Sequence, residues 1–335
     1  MLTHWIVFLG CSAAIVLAGT RLANYGDAIG KRTGIGQGWI GLLLLATVTS
    51  IPELTTTMTG AWLGTPNIAV GNAFGSNLFN VVIIAVLDIM LIRRTTVLSR
   101  VRSHHVASGA LAILLTAIAM LGIVLEWPYA WGGISPFSFL ILAIYIIGVY
   151  ALYRVERDAY RDEDQDDNAN TSLPLRTAAI GFAVCAGVII AAGIFLISSA
   201  KALSEMTGIS ASVMGAVLVA VVTSLPEMAT SFGALRIGAF DMILGNLFGS
   251  NMFNILTIFF ADIAFRRGSI FAGLGGGATD QLVVALLGVL LTGIAVVAIA
   301  VRPKRRVLGI GVESLALLVT YAMGLALILL RGISL

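Results

Sequence analysis

Two segments of this sequence occur twice, and both pairs are separated by the same distance along the chain. TSIPELTT at 49–56 returns as TSLPEMAT at 223–230, and GNAFGSNLFNV at 71–81 returns as GNLFGSNMFNI at 245–255. The offset is 174 residues in both cases. A shared register of this kind indicates an internal duplication, so the chain is expected to fold as two related halves.

Long apolar runs show the environment in which these halves fold. Hydrophobic residues make up 59% of the chain and charged residues only 11%, whereas soluble domains carry about 25% charged residues. About 20 apolar residues are needed to cross the hydrocarbon core of a bilayer. Ten such runs are predicted, at 4–24, 36–61, 67–91, 106–125, 135–153, 176–200, 210–235, 241–265, 281–301 and 308–330. The fold class expected is an all-α integral membrane protein with ten transmembrane helices.

A polar segment at 154–175 divides the ten predicted helices into two groups of five, residues 1–153 and 176–335. Because five is an odd number, the second group must enter the membrane from the opposite side, which makes an inverted repeat typical of secondary transporters. The acidic part of this segment could be compared with an EF-hand loop, but Asp167 stands where that loop needs Gly. A solvated linker is the better interpretation.

The distribution of Lys and Arg predicts the orientation in the membrane. With the N-terminus outside the cell, 16 of the 20 Lys and Arg residues lie on the cytoplasmic side, as the positive-inside rule requires. Both termini are therefore expected outside and the linker in the cytoplasm of a multi-pass plasma-membrane protein. This topology explains the basic excess, so nucleic acid is not expected as a partner; the lipid bilayer is.

The repeated TSxPE motif combines two residues that are costly in a membrane helix. Pro52 cannot donate a hydrogen bond to the carbonyl of Val48 and disturbs the preceding turn, and Glu53 brings a charge to membrane depth. Freed carbonyls and charges in a bilayer need a partner such as a cavity or an ion. The same pair recurs at Pro226 and Glu227, which favours a functional site over a helix kink made for packing alone.

The polar residues near the two glutamates carry oxygen atoms. Thr49 lies one turn before Glu53, and the second motif places an Asn, a Ser and an Asn at intervals of four residues; the corresponding set is Asn72, Ser76, Asn80, Thr223, Asn246, Ser250 and Asn254. Hard cations such as Ca²⁺ bind six to eight oxygens of this mixed kind, and two glutamates would neutralise one divalent ion. A softer metal is not expected, because His104 and His105 are adjacent and are predicted to face different ways.

Other repeated residues have simpler interpretations. Four glycines are expected to be small packing contacts between helices: Gly71, Gly75, Gly245 and Gly249. Asp88 and Asp262 are expected to form ion pairs near the membrane interface with Arg93 and Arg267, respectively.

With TSxPE followed by GNxxGSNxxN, twice, the chain resembles the cation/calcium exchanger superfamily and in particular its sodium/calcium exchanger branch. The resemblance covers nearly the whole chain. It implies alternating access by the first and sixth helices against a core that carries the ion sites. It also implies a set of metal ligands: main-chain oxygens near Ala46 and Ala220, with Thr49, Ser50, Glu53, Ser76, Asn80, Thr223, Ser224, Glu227, Ser250 and Asn254.

One position departs from the family pattern. Well-known sodium-driven members have an aspartate where this chain has Asn254. The asparagine keeps a side-chain oxygen but lacks the negative charge. Proton-coupled members typically have GNxxE in place of TSxPE, so the motif here favours sodium.

The function expected is a secondary antiporter that exchanges Ca²⁺ for Na⁺, with a Ca²⁺/H⁺ antiporter as the alternative. An ion channel is disfavoured because two facing halves make an enclosed site and not a ring around a pore. An enzyme is disfavoured because no nucleophile–base pair is visible near the motifs. No cofactor and no obligate protein partner are expected.

Overall fold

The computed structural model describes residues 2–91, 95–126, 132–163, 173–207, 222–303, 305–307 and 310–331. These residues are almost wholly helical, as predicted. The helices are α1 (Leu2–Thr33), α2 (Gln37–Thr49), α3 (Ile51–Trp62), α4 (Pro66–Met90), α5 (Val97–Arg100), α6 (His105–Leu125), α7 (Pro136–Glu163), α8 (Leu175–Thr207), α9 (Leu225–Arg236), α10 (Phe240–Ala264), α11 (Ala278–Val301) and α12 (Val312–Arg331). A 3₁₀ segment (Ala272–Gly277) precedes α11, and β1 (Arg306–Val307) pairs antiparallel with β2 (Ile310–Gly311).

Seven of the described helices are long and apolar enough to cross a membrane: α1, α4, α6, α7, α8, α10 and α11. The bent pair α2 and α3 makes an eighth candidate, and the apolar part of α12, Val312–Ile328, is shorter. The predicted run 210–235 falls partly outside the described residues. α9 is the helix in its described part. The structure therefore supports an all-helical membrane protein without fixing the number of spans at ten.

Several helices extend past their predicted ends, α1 and α7 by the most residues. α1 continues from the predicted end at residue 24 to Thr33. Within this extension, Asp27 and Lys31 lie one turn apart and form an ion pair of 3.0 Å. α7 continues to Glu163, into the predicted linker. Its additional residues lack Pro and Gly and are rich in Arg and Glu, which are good helix formers. Hydropathy predicts where a helix leaves the bilayer, but the helix itself ends only where its hydrogen bonds end.

The repeated proline motif breaks its helix in the same way in both halves. Ser50, between α2 and α3, has φ −93° and ψ 7°, and the two helices meet at an angle of 45°. Ser224, directly before α9, has φ −85° and ψ 7°. The residue at each break lies two positions before a proline, which supplies no N–H to the preceding turn. The predicted kink is thus present in the first copy, and in the second copy Ser224 has the same backbone conformation.

The core lies where α4 and α10 cross, since both helices are buried over most of their length. α2 packs directly on α10 through Gly245 and Gly249: a Cβ at Gly249 would lie 2.8 Å from the Ala46 Cβ. These two glycines are packing contacts, as predicted. α1 and α8 pack along each other on the outside and leave large apolar side chains exposed, such as Leu17 and Phe195, a surface that suits lipid.

Candidate functional site

Both broken helices present their polar side chains to the centre of the protein. Thr49, Ser50 and Glu53 are fully buried around the break between α2 and α3. Thr223, Ser224 and Glu227 are buried to the same degree around the break that precedes α9. A helix that stops and restarts exposes groups that an unbroken helix would keep engaged, so each break collects polar groups at one point.

The second motif brings its hydroxyls to the broken helix of the other half. The Thr49 Oγ1 lies 3.4 Å from the Ser250 Oγ on α10, and the Ser76 Oγ on α4 lies 3.3 Å from the Thr223 Oγ1. These two contacts are equivalent under the 174-residue offset. Residues of one copy thus meet the partner residues of the other copy reciprocally, as across a two-fold interface.

The two glutamates are buried in this cluster and interact electrostatically with each other. Glu227 Oε1 accepts a hydrogen bond of 3.0 Å from the Ser50 hydroxyl. Within the described part of the chain, neither glutamate forms an ion pair with Lys or Arg. Buried carboxylates without a cationic partner are costly, so the cluster is suited to a cation.

Several oxygens in the cluster are buried and accept no hydrogen bond from the described residues. They are Oε1 and Oε2 of Glu53, Oε2 of Glu227, Oδ1 of Asn72, Oδ1 of Asn80, Oδ1 of Asn254 and Oγ of Ser224. All of them except the oxygen of Asn72 belong to residues that are predicted as ligands. Carboxylate, amide and hydroxyl oxygens are the donors that hard cations prefer.

Asn72 and Asn246, predicted on the same helix faces, have a supporting position instead. The amide nitrogen of Asn72 donates to the main-chain oxygen of Glu53 (3.3 Å) and to Thr57 Oγ1 (3.0 Å). Asn246 makes the equivalent bonds to the main-chain oxygen of Glu227 and to Ser231. Each amide therefore links its own helix to the main chain of the helix that carries Glu53 or Glu227.

The main-chain oxygen of Ala46 accepts hydrogen bonds from the Ser50 N–H (3.0 Å) and the Thr49 hydroxyl (3.4 Å). Its predicted counterpart, Ala220, lies outside the described residues.

Sequence reasoning missed two residues at the centre of the protein, Asn77 and Asn251. Both side chains are buried where α4 and α10 cross, and they bond to each other's main chain and to Asn80 and Asn254. The offset of 174 relates them, so the repeat contained their signal. They directly follow the predicted ligands Ser76 and Ser250 in the sequence.

The histidines contradict the prediction that they face different ways. The rings of His104 and His105 lie 4.5 Å apart, and one ligand atom from each lies within 4.8 Å of an oxygen of Asp241. Each imidazole lies next to a carboxylate: the His104 Nε2 lies 2.6 Å from Glu156 Oε2, and the His105 Nε2 lies 3.1 Å from Asp241 Oδ1. These pairs join the start of α6 to α7 and α10, and they do not include Glu53 or Glu227.

The predicted ion pair of Asp262 with Arg267 is also wrong. Asp262 instead accepts hydrogen bonds from the Ser135 N–H (2.7 Å), the Ser138 hydroxyl (2.6 Å) and the Ile270 N–H (2.6 Å). Three donors satisfy the carboxylate, so it needs no cation, and Arg267 packs against Gly64.

Asp88 has an equivalent arrangement, with bonds from the Val97 N–H (2.5 Å) and the Ser314 hydroxyl. Its predicted partner, Arg93, lies outside the described residues.

The comparison with known families settles what kind of protein contains this site. Residues 3–155 and 177–330 match the family described as sodium/calcium exchanger protein. The chain belongs to the sodium/calcium exchanger family. It is therefore a multi-pass membrane protein of a cation antiporter family, and the resemblance inferred from the two repeated motifs is confirmed.

Individual proteins of known sequence resemble the chain over most of its length. The sodium/calcium exchanger MaX1 of Methanosarcina acetivorans is 29% identical over 261 residues, which cover 69% of this chain and 74% of that protein. The inner membrane protein YrbG of Escherichia coli is 27% identical over 249 residues, or 73% and 74% of the two chains.

A solved structure shares the fold. The sodium-calcium exchanger NCX_Mj, soaked with 2.5 mM Na⁺ and 0.1 mM Ca²⁺, superposes with a TM-score of 0.73 at 19% identity, over 97% of this chain and 98% of that one.

Proposed function

We propose that the protein is a secondary antiporter that exchanges Ca²⁺ for Na⁺ at the buried site between the two halves. The observation that carries this proposal is the set of buried oxygens, two glutamates among them, that accept no hydrogen bond and face no described Lys or Arg. A soluble ligand with a carbon skeleton would need apolar contacts as well, and this site has mainly oxygen atoms.

The ligands of the transported ions are the twelve predicted residues. The broken helices supply Ala46, Thr49, Ser50, Glu53, Ala220, Thr223, Ser224 and Glu227, and the crossing helices supply Ser76, Asn80, Ser250 and Asn254. Two glutamates carry two negative charges, which one Ca²⁺ neutralises. The hydroxyls and amides complete the six to eight oxygens that Ca²⁺ takes.

Alternating access would move α1 and α8 against the rest of the protein. Support comes from their packing: they lie along each other with much of their apolar surface exposed, and α1 also contacts α9 while α8 contacts α2 and α3. In contrast, α4 and α10 are enclosed. In this proposal residues 1–153 and 176–335 are inverted repeats, and α1 and α8 are equivalent helices of the two. Sliding this pair would open the site to one side of the membrane at a time.

Replacing the glutamates tests the site. Glu53→Gln and Glu227→Gln each keep the shape of the side chain and one oxygen but remove half of the site's charge, so both should abolish uptake of radiolabelled Ca²⁺ into proteoliposomes while the protein still folds. Glu156→Gln is the matched control, because this buried glutamate pairs with His104 outside the site. Uptake at the wild-type rate by either site variant would refute the assignment.

Sodium is the proposed driving ion. Na⁺ and Ca²⁺ have similar radii and share oxygen ligands, and the relative MaX1 is named a sodium/calcium exchanger. With Asn254 neutral, one Ca²⁺ leaves the site uncharged and three Na⁺ leave one positive charge, so exchange at that ratio would respond to voltage. A proton-driven exchanger would titrate the glutamates instead.

Efflux from loaded vesicles separates the two driving ions. Ca²⁺ efflux should follow an outside Na⁺ gradient at constant pH and should be absent under a pH gradient in sodium-free medium. The opposite pattern would transfer the protein to the Ca²⁺/H⁺ class. Saturation of the flux would distinguish either antiporter from a channel.

The proposed orientation places both termini outside the plasma membrane and residues 154–175 in the cytoplasm. Single cysteines introduced on a background without Cys11 and Cys185 test this orientation. A cysteine at residue 165 should be labelled by an impermeant reagent only after the cells are opened. Labelling in intact cells would show that the orientation is the opposite of the proposed one.

A further inference from the structure

Asn77 on α4 and Asn251 on α10 form a crossed pair at the centre of the protein. The Asn77 Nδ2 donates to the main-chain oxygen of Asn251 at 3.1 Å, and the Asn251 Nδ2 donates to the main-chain oxygen of Asn77 at 3.5 Å. Each side chain therefore uses its nitrogen on the backbone of the other half. Because a main-chain oxygen can only accept a hydrogen bond, these contacts determine which way each amide group points.

The orientation of this pair determines the orientation of two further amides. With its nitrogen engaged, Asn77 turns its Oδ1 toward Asn254, whose Nδ2 lies 3.0 Å away. Asn251 likewise turns its Oδ1 toward the Nδ2 of Asn80, at 3.1 Å. An amide whose nitrogen is bound to an acceptor on one side presents its oxygen on the other side. The oxygens of Asn80 and Asn254 are the ones that are buried and accept no hydrogen bond.

We infer that Asn77 and Asn251 are positioning residues that hold the amide oxygens of Asn254 and Asn80, respectively, toward the transported cation. Without this constraint either ligand amide could rotate by half a turn and present an N–H₂ group, which a cation repels. The inference rests on the proposed cation site and adds the residues that determine which amide atom faces the ion.

The burial of the pair supports this assignment over a role in packing alone. Asn251 is 1% exposed and Asn77 is 5% exposed, so their polar atoms have no access to bulk water and must be satisfied within the protein. A small apolar residue would pack two crossing helices at lower cost. The four amides are instead connected so that only the two ligand oxygens remain available.

A double-mutant cycle tests the inference in proteoliposomes. Asn77→Ala should raise the KM for Ca²⁺ by about threefold to tenfold, the size expected for one lost hydrogen bond, while kcat stays within about twofold. If Asn77 acts through Asn254, the double variant Asn77→Ala/Asn254→Ala should have the KM of Asn254→Ala alone. Asn251 with Asn80 should behave in the same way, whereas Asn77→Ala and Asn80→Ala should combine multiplicatively.

Asn67→Ala is the matched control. It lies on the same helix, and its amide also bonds to a main-chain oxygen of the other half, Leu274 at 3.2 Å, but it is outside the site. Its KM should equal that of the wild type. Glu53→Gln in the same assay separates the two levels of the proposal: if that variant transports normally, the cation site itself is wrong.

Three results would overturn the inference while Glu53→Gln remains inactive. The first is a wild-type KM for both Asn77→Ala and Asn251→Ala. The second is a multiplicative effect of Asn77→Ala and Asn254→Ala. The third is failure of both single variants to fold, measured by size-exclusion chromatography and thermal unfolding, since the pair would then be structural.

Discussion

Alanine at Gly249 would test how closely α2 must pack on α10 for the site to form. A Cβ there would lie 2.8 Å from the Ala46 Cβ and 2.9 Å from the Leu42 Cα, where ordinary contact begins at 3.4 Å. It would lie nearer still to the main-chain oxygen of Leu42. The helices must therefore separate by about 0.5 Å or more, and overpacking of this kind costs about 1–3 kcal/mol of stability. The same movement would draw Ser250 away from Thr49, so the KM for Ca²⁺ should rise.

Gly293→Ala is the control for the substitution itself. It lies within α11, and no atom lies within 4 Å of the Cβ it would gain. Alanine is a better helix former than glycine by about 0.5–1 kcal/mol, so this variant should be at least as stable as the wild type. The measurements are the thermal unfolding midpoint in detergent and Ca²⁺ uptake in proteoliposomes. Equal midpoints for the two variants, or a wild-type KM in Gly249→Ala, would refute the close-packing argument.

Three further predictions concern single polar groups. Asn254→Asp should retain Na⁺-driven Ca²⁺ exchange, since a protonated carboxyl can donate to Asn77 Oδ1 as the amide does at 3.0 Å; loss of reconstituted exchange would contradict this. Asp262→Asn should lower the free energy of unfolding by about 1–3 kcal/mol, because at least one of its three donors would then face an N–H₂ group, and a chemical-denaturation curve like that of the wild type would argue against it. Ser50→Ala should raise the KM for Ca²⁺ by about twofold to tenfold through loss of its bond to Glu227, and uptake kinetics identical to the wild type would exclude this hydroxyl from binding.

Much of the site was predictable because its causes are local in sequence. Proline removes one donor from the turn before it, so the break at Ser50 follows from Pro52 alone. Helical periodicity places Thr49 and Glu53 on one face. The duplication then predicts the same arrangement around Glu227, and the structure brings the two copies together.

Contacts between distant segments were not predictable in this way. Asp262 bonds to Ser135 and Ser138, more than a hundred residues earlier, and no local pattern indicates that these segments meet. The histidine pairs with Glu156 and Asp241 depend on the packing of α6, α7 and α10 in the same manner. A sequence shows which groups a helix face carries, but the partner of a buried polar group depends on which helices are neighbours.

The reciprocal contacts explain why the duplication matters for transport. Thr49 of the first half contacts Ser250 of the second, and Ser76 of the first contacts Thr223 of the second. Neither half therefore contains all the residues of the proposed ligand set, which come together only where the two copies meet. The symmetry is nevertheless broken at the glutamates, because Ser50 donates to Glu227 whereas the equivalent hydroxyl, on Ser224, has no hydrogen-bond partner among the described residues. If the proposed site is correct, two glutamates in unequal surroundings should bind a cation unequally. In the proposed mechanism, a relative shift of the two halves would exchange these surroundings. The glutamate that binds the cation more tightly would then change, and this change would favour release toward the opposite face of the membrane.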